Sequence, residues 1–455
     1  MLRVPSLDVE FVRRWSPARF AALGLAIYGV LLLTSPLEYD FSKLSWQAIA
    51  YAAACQLAFF GGCYIVNGLD RRATPIAVQP VSLPADRMIN ITLVLGLVGV
   101  LSRFYDRVIA RGFTITEDLL ENRETISEGL TSFAYIGGLF FSFGLIAITL
   151  MWLTGAHRRR PYSFALASVL ALYPMFETLV QGSRSTMIHT LVLLFMCARS
   201  ANAMRWLVRS KLALLLCGVV VLLVAEAVYQ MRTFASGVDT QDMVDIFMLT
   251  AISDYARPSQ WVVDVLVSTN GVGLLGGAVK AWTHVSQYLT HSWLAYCDNY
   301  NAFEGILGYG RYHLFLLMRF LSVLAGEDVY FDPTSYGMIS GISTTGFTSL
   351  LYDFGMGGPL VAAIYGFVAT TVQRWAIQLP ERWLPLYMYL CFACLMHMVD
   401  NIFLGGLGAF AIWTFTGYAG FHYLVTVLAD SGSRITPTGL SAPPAEPPGL
   451  GASPQ

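Results

Sequence analysis

The sequence predicts an all-α polytopic membrane protein of about ten transmembrane helices, interrupted by one large loop of amphipathic helices. Three observations predict it. Only 13% of the 455 residues are charged and 56% are hydrophobic, with a mean hydropathy of +0.58, whereas a soluble domain carries about 25% charged residues. Apolar runs of spanning length recur along most of the chain. Basic residues collect in alternate connections between those runs, the pattern that sets orientation in a bilayer. A net charge of -1 and a pI near 6.7 argue against nucleic acid as a partner.

Residues 1–17 are basic through Arg3, Arg13 and Arg14. The apolar Ala18–Thr34 comes next as a signal anchor, because Thr34-Ser35-Pro36 is a poor cleavage site. Further spans fall near 46–67, 88–107, 131–154, 161–181, 185–203, 211–231, 355–374, 384–401 and 405–428. Each approaches the roughly 20 apolar residues that a spanning helix needs. Arg71, Arg72 and Arg87 flank one connection, and His157-Arg158-Arg159-Arg160 form the next on that side. Arg199, Arg205, Arg209 and Lys211 come after them, then Arg374 and Arg382. With ten spans, all of these share the side of the N-terminus, which is therefore cytoplasmic. The chain divides into N-terminal transmembrane helices (1–231), the large loop (232–345), C-terminal transmembrane helices (346–430) and a cytoplasmic tail (431–455). The tail is rich in Pro, Ser and Gly and is expected to be disordered. Residues 35–45 and 108–130 lie on the far side with the large loop. The second of these carries Glu117, Asp118, Glu121, Arg123 and Glu124 and reads as a short exposed helix.

Within the large loop, Met243–Ile252, Trp261–Ser268 and His313–Ala325 are apolar but too short to span, which suits surface or re-entrant segments. Gly271-x-Gly273-x-x-Gly276 matches the dinucleotide fingerprint and comes after the strand-like Trp261–Ser268, but no βαβ unit surrounds it, and a flexible glycine hinge is the better reading. His284 and His291 lack a third nearby ligand, so neither a metal nor any other cofactor is expected. Cys391-x-x-Cys394 sits in a span with no second pair and reads as packing, and Cys297 is the one cysteine expected outside. The run Trp282–Tyr300, with Trp293 and Tyr296, mixes flat amphipathic rings and hydrogen-bonding groups. It suits either sugar rings or an interfacial aromatic belt.

Gln181-Gly182-Ser183-Arg184 is a tight turn between two spans. Counted back from the cytoplasmic Arg199, Arg184 climbs only about 22 Å of a core about 30 Å thick. An arginine at such a depth costs at least about 2.5 kcal/mol unless paired or solvated. A phosphate ligand would meet that cost, as would a structural pair with Glu177 or Glu226, or snorkelling to the surface. Arg232, Arg257, Arg311 and Arg319, with Asp254, add charge near the same face. They suit an anionic lipid-linked substrate or, more simply, lipid headgroups.

Several short patterns, in order, resemble those of the Wzy-type O-antigen polymerases, which join oligosaccharide repeat units. These are Asn122-Arg123-Glu124, Gly182-Ser183-Arg184, Tyr229-Gln-Met-Arg232, and Tyr309-Gly-Arg311 ahead of an apolar stretch with Arg319. Thr344-Thr345-Gly346 through Tyr352-Asp353-Phe354-Gly355-x-Gly357-Gly358 completes the set, and the resemblance covers roughly residues 90–375. It implies a glycosyltransferase of the bacterial inner membrane, with the large loop periplasmic and both termini cytoplasmic. Such an enzyme moves a growing glycan from undecaprenyl diphosphate onto a lipid-linked repeat unit. It needs no nucleotide sugar, and it works with a flippase and a chain-length regulator. Arginines would stabilise the departing diphosphate, with Arg184 at the reacting centre and Arg123, Arg232, Arg257, Arg311 and Arg319 binding substrate. Asp353 or Asp254 would act as general base, and Trp293 and Tyr296 would line the glycan path. The rivals are an O-antigen ligase with the same arginines and another acceptor, a transporter, for which no repeated halves are visible though Gly355–Pro359 could break a helix, and a structural membrane protein.

Overall fold

The computed structural model describes residues 7–70, 85–112, 131–180, 185–203, 254–269, 273–326, 329–338, 345–401 and 406–434. The expected span 211–231, the segment 113–130 with Arg123, and Arg184, Arg232 and the tail beyond 434 lie outside the described residues. In chain order the main elements are α1 (Val9–Arg14), α2 (Pro17–Thr34), β1 (Leu37–Tyr39), α3 (Trp46–Asp70) and α4 (Ala85–Phe104), which continues as a π-helical turn over Tyr105–Ala110. Then come α5 (Ser132–Phe141), α6 (Phe143–Leu153), α7 (Pro161–Val180), α8 (Ser185–Ser200), β2 (Ala256–Pro258), α9 (Gln260–Thr269) and α10 (Gly273–Asn301). The last are α11 (Phe315–Ala325), α12 (Gly346–Phe354), α13 (Gly358–Gln378), α14 (Pro380–Met396) and α15 (Gly406–Arg434).

The protein is mostly helical, and among the described residues five helical stretches are long and apolar enough to cross a membrane: Pro17–Thr34, Trp46–Gly68, Ala85–Ala110, Ser132–Leu153 and Gly346–Gln378. Their surfaces keep large apolar side chains exposed, such as Leu57, Ile65, Val94, Leu101, Leu360 and Ile364, as a lipid-facing wall requires. Helices also occupy the expected positions 161–181, 185–203 and 405–428, while the one expected over 384–401 is shifted to Pro380–Met396. The glycines at 355–358 do interrupt a helix: Gly355 takes φ +53°, and a single 3-10 turn separates α12 from α13.

The most extensive helix contact is between α3 and α13. It depends on small residues. A Cβ at Gly62 would collide with the Ala363 carbonyl, and one at Gly366 with the Phe59 carbonyl, so each helix leans its backbone on the other's glycine. The Cys63 thiol donates to Gly366 O at 3.4 Å across the same contact. In lipid, where apolar burial against another helix gains little, close backbone approach of this kind drives association. At one end of the bundle, Asp8 N–H donates to Ser200 O at 2.8 Å, Arg199 pairs with Asp8 at 2.5 Å, and Gln373 Nε2 donates to Val12 O at 2.6 Å. Helix α1 is thus fastened to the end of α8 and to α13.

Two expectations for the large loop need correction. Trp261–Ser268 is not a strand but lies within helix α9. The strand precedes it: β2 pairs antiparallel with β1, in the register Leu37↔Pro258, Glu38↔Arg257 and Tyr39↔Ala256. Nor is the Trp282–Tyr300 run an open surface. It belongs to α10, a 29-residue helix starting at Gly273 with φ +80°. That helix buries a polar stripe of Thr283, Gln287, Thr290 and His291, spaced three and four apart. Neighbouring elements bond part of the stripe: Tyr28 Oη donates to Thr290 O at 2.6 Å, Tyr39 Oη to Thr290 Oγ1 at 2.8 Å, and Gln287 Nε2 to Ala256 O at 2.9 Å. Farther along, Ser292 Oγ donates to Met398 O at 3.1 Å and Tyr296 Oη to Ala48 O at 2.7 Å. The described part of the loop is thus bonded into the bundle.

Gly366→Val should lower the thermal midpoint of the detergent-solubilised protein by an amount equivalent to about 1–3 kcal/mol, through overpacking. Gly417→Ala, where nothing lies within 4 Å of the added carbon, serves as the control and should change little. Equal midpoints for the two variants would remove the glycine contact from the account. Cys297 is fully buried rather than open on the outer surface. In a variant with Cys297 as its only cysteine, a membrane-impermeant maleimide should label the protein after denaturation and not before. Rapid native labelling would mean that α10 is not packed on α3.

Candidate functional site

The site is built where α12 ends. Thr345 caps the start of that helix, its Oγ1 accepting from Thr348 N at 3.2 Å. Asp353 falls in the last turn, where the negative end of the helix dipole disfavours a carboxylate. It is nonetheless completely buried. A buried carboxylate needs donors, and the segment 308–313 supplies them. Tyr312 N–H donates to Oδ1 at 3.0 Å, His313 N–H to Oδ2 at 2.7 Å, and His313 Nδ1 lies 2.5 Å from Oδ2. Gly308 N–H and Tyr309 N–H donate to the carbonyls of Tyr352 and Asp353 at 2.9 and 2.8 Å.

This places the Tyr309-Gly-Arg311 pattern directly against the Tyr352-Asp353-Phe354 pattern, about forty residues away in sequence. The turn is tight. A Cβ at Gly308 would strike the Asp353 carboxylate and the Phe331 ring. Tyr309 adopts φ +53° and Gly310 φ +85°; positive φ in a tyrosine is uncommon and persists only where the surroundings enforce it. The His313 ring lies between Phe354 and Tyr365, with centroids 5.4 and 6.0 Å away.

Two guanidinium groups stand beside this turn. Arg311 donates through Nε to Gly308 O at 2.9 Å and stacks 5.6 Å from the centroid of Phe331. Arg319, farther on in α11, lies 4.6 Å over Tyr330. Among the described residues, neither has a carboxylate within ion-pair distance. On the other side of α11, Leu316 packs with Phe141 and Phe410, and Arg103 lies 5.4 Å over the Phe141 ring. The arginines there are paired. Arg103 Nε donates to Glu177 Oε2 at 2.9 Å, and Arg107 bonds the same carboxylate. Arg111 pairs with Asp106 at 3.1 Å, and Asp106 also accepts from the Thr131 hydroxyl. Asp106, Arg107 and their neighbours form the π-helical turn, a rare geometry that often accompanies function.

The remaining sequence-predicted residues have varied fates. Asp353 and Arg311 come together, and Arg319 lies nearby on α11. Asp254, which is exposed, and Arg257 sit instead on the β1–β2 ribbon. Next to Asp254, burial pushes the Tyr255 phenol up, with Asp298 and Asp254 adding to the shift, and Lys43 lies 4.2 Å over its ring. Lys43 also pairs with Asp298 at 3.4 Å. Tyr296 offers no surface to a sugar, being 0% exposed, and half-buried Trp293 packs against it at 5.4 Å between centroids. Asp353, with its carboxylate bound by three donors, is ill placed to take a proton from a ligand. Glu177, one of the acids weighed against Arg184, is bonded by Arg103 and Arg107. His313 is a site residue that sequence reasoning missed; its only signal is its place two residues after Arg311 in a glycine-flanked turn. The chain matches no family model, no curated protein and no solved structure.

The Glu177 pairs are buried, whereas that of Arg160 with Asp86 is open to solvent, so their removal should differ in effect. Glu177→Gln leaves two guanidinium groups uncompensated and should cost roughly 3–5 kcal/mol of stability. Arg160→Ala should cost less than about 1 kcal/mol. Thermal unfolding of the two purified variants measures the contrast, and equal midpoints would mean that the Glu177 cluster is hydrated.

Proposed function

We propose that this chain is an enzyme of the bacterial inner membrane that polymerises undecaprenyl-diphosphate-linked oligosaccharide repeat units at the periplasmic face. In this reading it crosses the bilayer about ten times, both termini are cytoplasmic, and residues 232–345 are the periplasmic loop. The observation that carries the reading is the contact between the two patterns of the resemblance: the Gly308–His313 turn closed on Asp353, with Arg311 beside it and free of any carboxylate partner among the described residues. Repeat-unit transfer breaks the bond between an anomeric carbon and a diphosphate, so negative charge develops on the leaving oxygen. A guanidinium held in place before the reaction stabilises that charge without having to reorganise. Arg311 is held by its Nε bond and by the Phe331 ring, and it can present its remaining N–H groups to two phosphate oxygens at once. The exposed Arg319 extends the same cationic face, and lipid acyl chains or the polyprenyl chain would meet the apolar wall below. Arg123, Arg184 and Arg232 are further candidates for the diphosphate.

A strain lacking the gene should lose its polymer ladder and accumulate single lipid-linked repeat units, and the wild-type gene should restore the ladder. Loss of transfer to the final acceptor with polymerisation intact would instead indicate a ligase. In the complemented strain, Arg311→Ala should abolish the ladder. Arg311→Lys should retain roughly a tenth of the activity or less, since lysine is a point charge and cannot bridge two oxygens. A normal ladder from Arg311→Ala at normal membrane abundance would remove the diphosphate role.

A further inference from the structure

We infer that His313 is the general base of the transfer reaction and Asp353 is its positioning residue. This rests on the polymerase reading above. Asp353 is fully enclosed, and each of its oxygens is taken by a backbone N–H, with Oδ2 also taken by the His313 ring. A carboxylate bound in this way orients rather than reacts. Its contact with Nδ1 fixes the tautomer: Nδ1 carries the hydrogen and donates it, so the lone pair is on Nε2. In buried His291 and half-buried His397, Nε2 is enclosed and unbonded among the described residues. Nε2 of His313 has no hydrogen-bond partner among the described residues, and the side chain as a whole is 7% exposed. The ring packs against Phe354 and Tyr365, which restricts its orientation.

In the transfer step, Nε2 accepts the proton of the acceptor hydroxyl, and the acceptor oxygen forms the new bond to the anomeric carbon. The bond from that carbon to the diphosphate breaks, with its electron pair leaving on the diphosphate oxygen beside Arg311. His313 and Arg311 lie two residues apart on one tight turn, so base and charge-stabilising group are set in a single local structure. The imidazolium then returns its proton to water or to the released diphosphate.

The test uses full-length protein in proteoliposomes, supplied with lipid-linked repeat units extracted from the gene-deletion strain. His313→Asn places an amide N–H where Nδ1 was, keeping the bond to Asp353 while removing the base. Its rate of polymer formation should fall at least about a hundredfold at unchanged thermal stability. Added imidazole should restore part of the rate to His313→Gly and none to Arg311→Ala. The titratable groups facing the ring are Asp353 and Tyr365, with Arg311 on its own turn. Asp353→Asn can hold the ring in the wrong tautomer, so kcat should fall at least about tenfold with KM little changed. A His313→Asn rate within about threefold of wild type overturns the inference, as does failure of imidazole to restore any rate to a stably folded His313→Gly. If His313→Gly does not fold, His313→Asn alone decides. Absence of polymer from the wild-type protein would overturn the polymerase reading and this inference with it, which separates that failure from one confined to His313.

Discussion

A buried carboxylate in the wrong place for its own helix organises the contact between α12 and the turn at 308–313. Asp353 lies in the last turn of α12, where the helix dipole opposes it, and it is shut off from solvent. Only donors from elsewhere can make such a group tolerable, and three arrive from the turn at 312–313. The dependence is mutual. The turn needs Asp353 to hold Tyr309 and Gly310 at positive φ, and Asp353 needs the turn for its hydrogen-bond donors. Arg311, His313 and the α11 helix with Arg319 inherit their positions from that exchange.

The charges around this end fall into two groups with different physics. Arg103, Arg107 and Arg111 are matched with Glu177 and Asp106 in buried ion pairs, and such pairs specify geometry more than they add stability. Arg311 and Arg319 rest on aromatic faces, a contact worth about 0.5–1 kcal/mol at exposed sites. Aromatic support keeps a guanidinium ordered without neutralising it, which is the condition an anion-binding group must meet. The apolar contact of Leu316 with Phe141 ties the two groups into one surface.

The bundle beneath combines a large buried apolar cluster with close approach of backbones. The α3–α13 contact at Gly62 and Gly366 is the main instance, and the long helix α10 shows the complementary device. Its polar stripe would be costly against lipid but is bonded by Tyr28, Tyr39 and the Ala256 carbonyl. A helix with such a stripe must lie against protein, and so it fastens the ribbon of β1 and β2 to α2 and α3.

The sequence by itself determined that the chain is helical and apolar enough for a membrane, and where most of its helices run. Lipid imposes one rule, that backbone groups be satisfied within each segment, and that rule is written in local composition and run length. The sequence also carried the Tyr309–Arg311 and Tyr352–Gly358 patterns, but as separate marks. It did not reveal that they touch, because an aspartate-to-amide bond across forty residues leaves no periodicity. Helix α9 reads as strand-like in sequence, and the pairing of Leu37–Tyr39 with Ala256–Pro258 is invisible there, since three-residue strands are defined by their partner and not by their own residues. The aromatic run Trp282–Tyr300 suits a sugar path or an interface in sequence, while packing of α10 on α2 and α3 turned Tyr296 into core. Tertiary structure alone decided what surrounds each group. Asp353 looks like a base in sequence because it is a carboxylate beside glycines; in the fold it is enclosed by three donors, one of them the ring of His313.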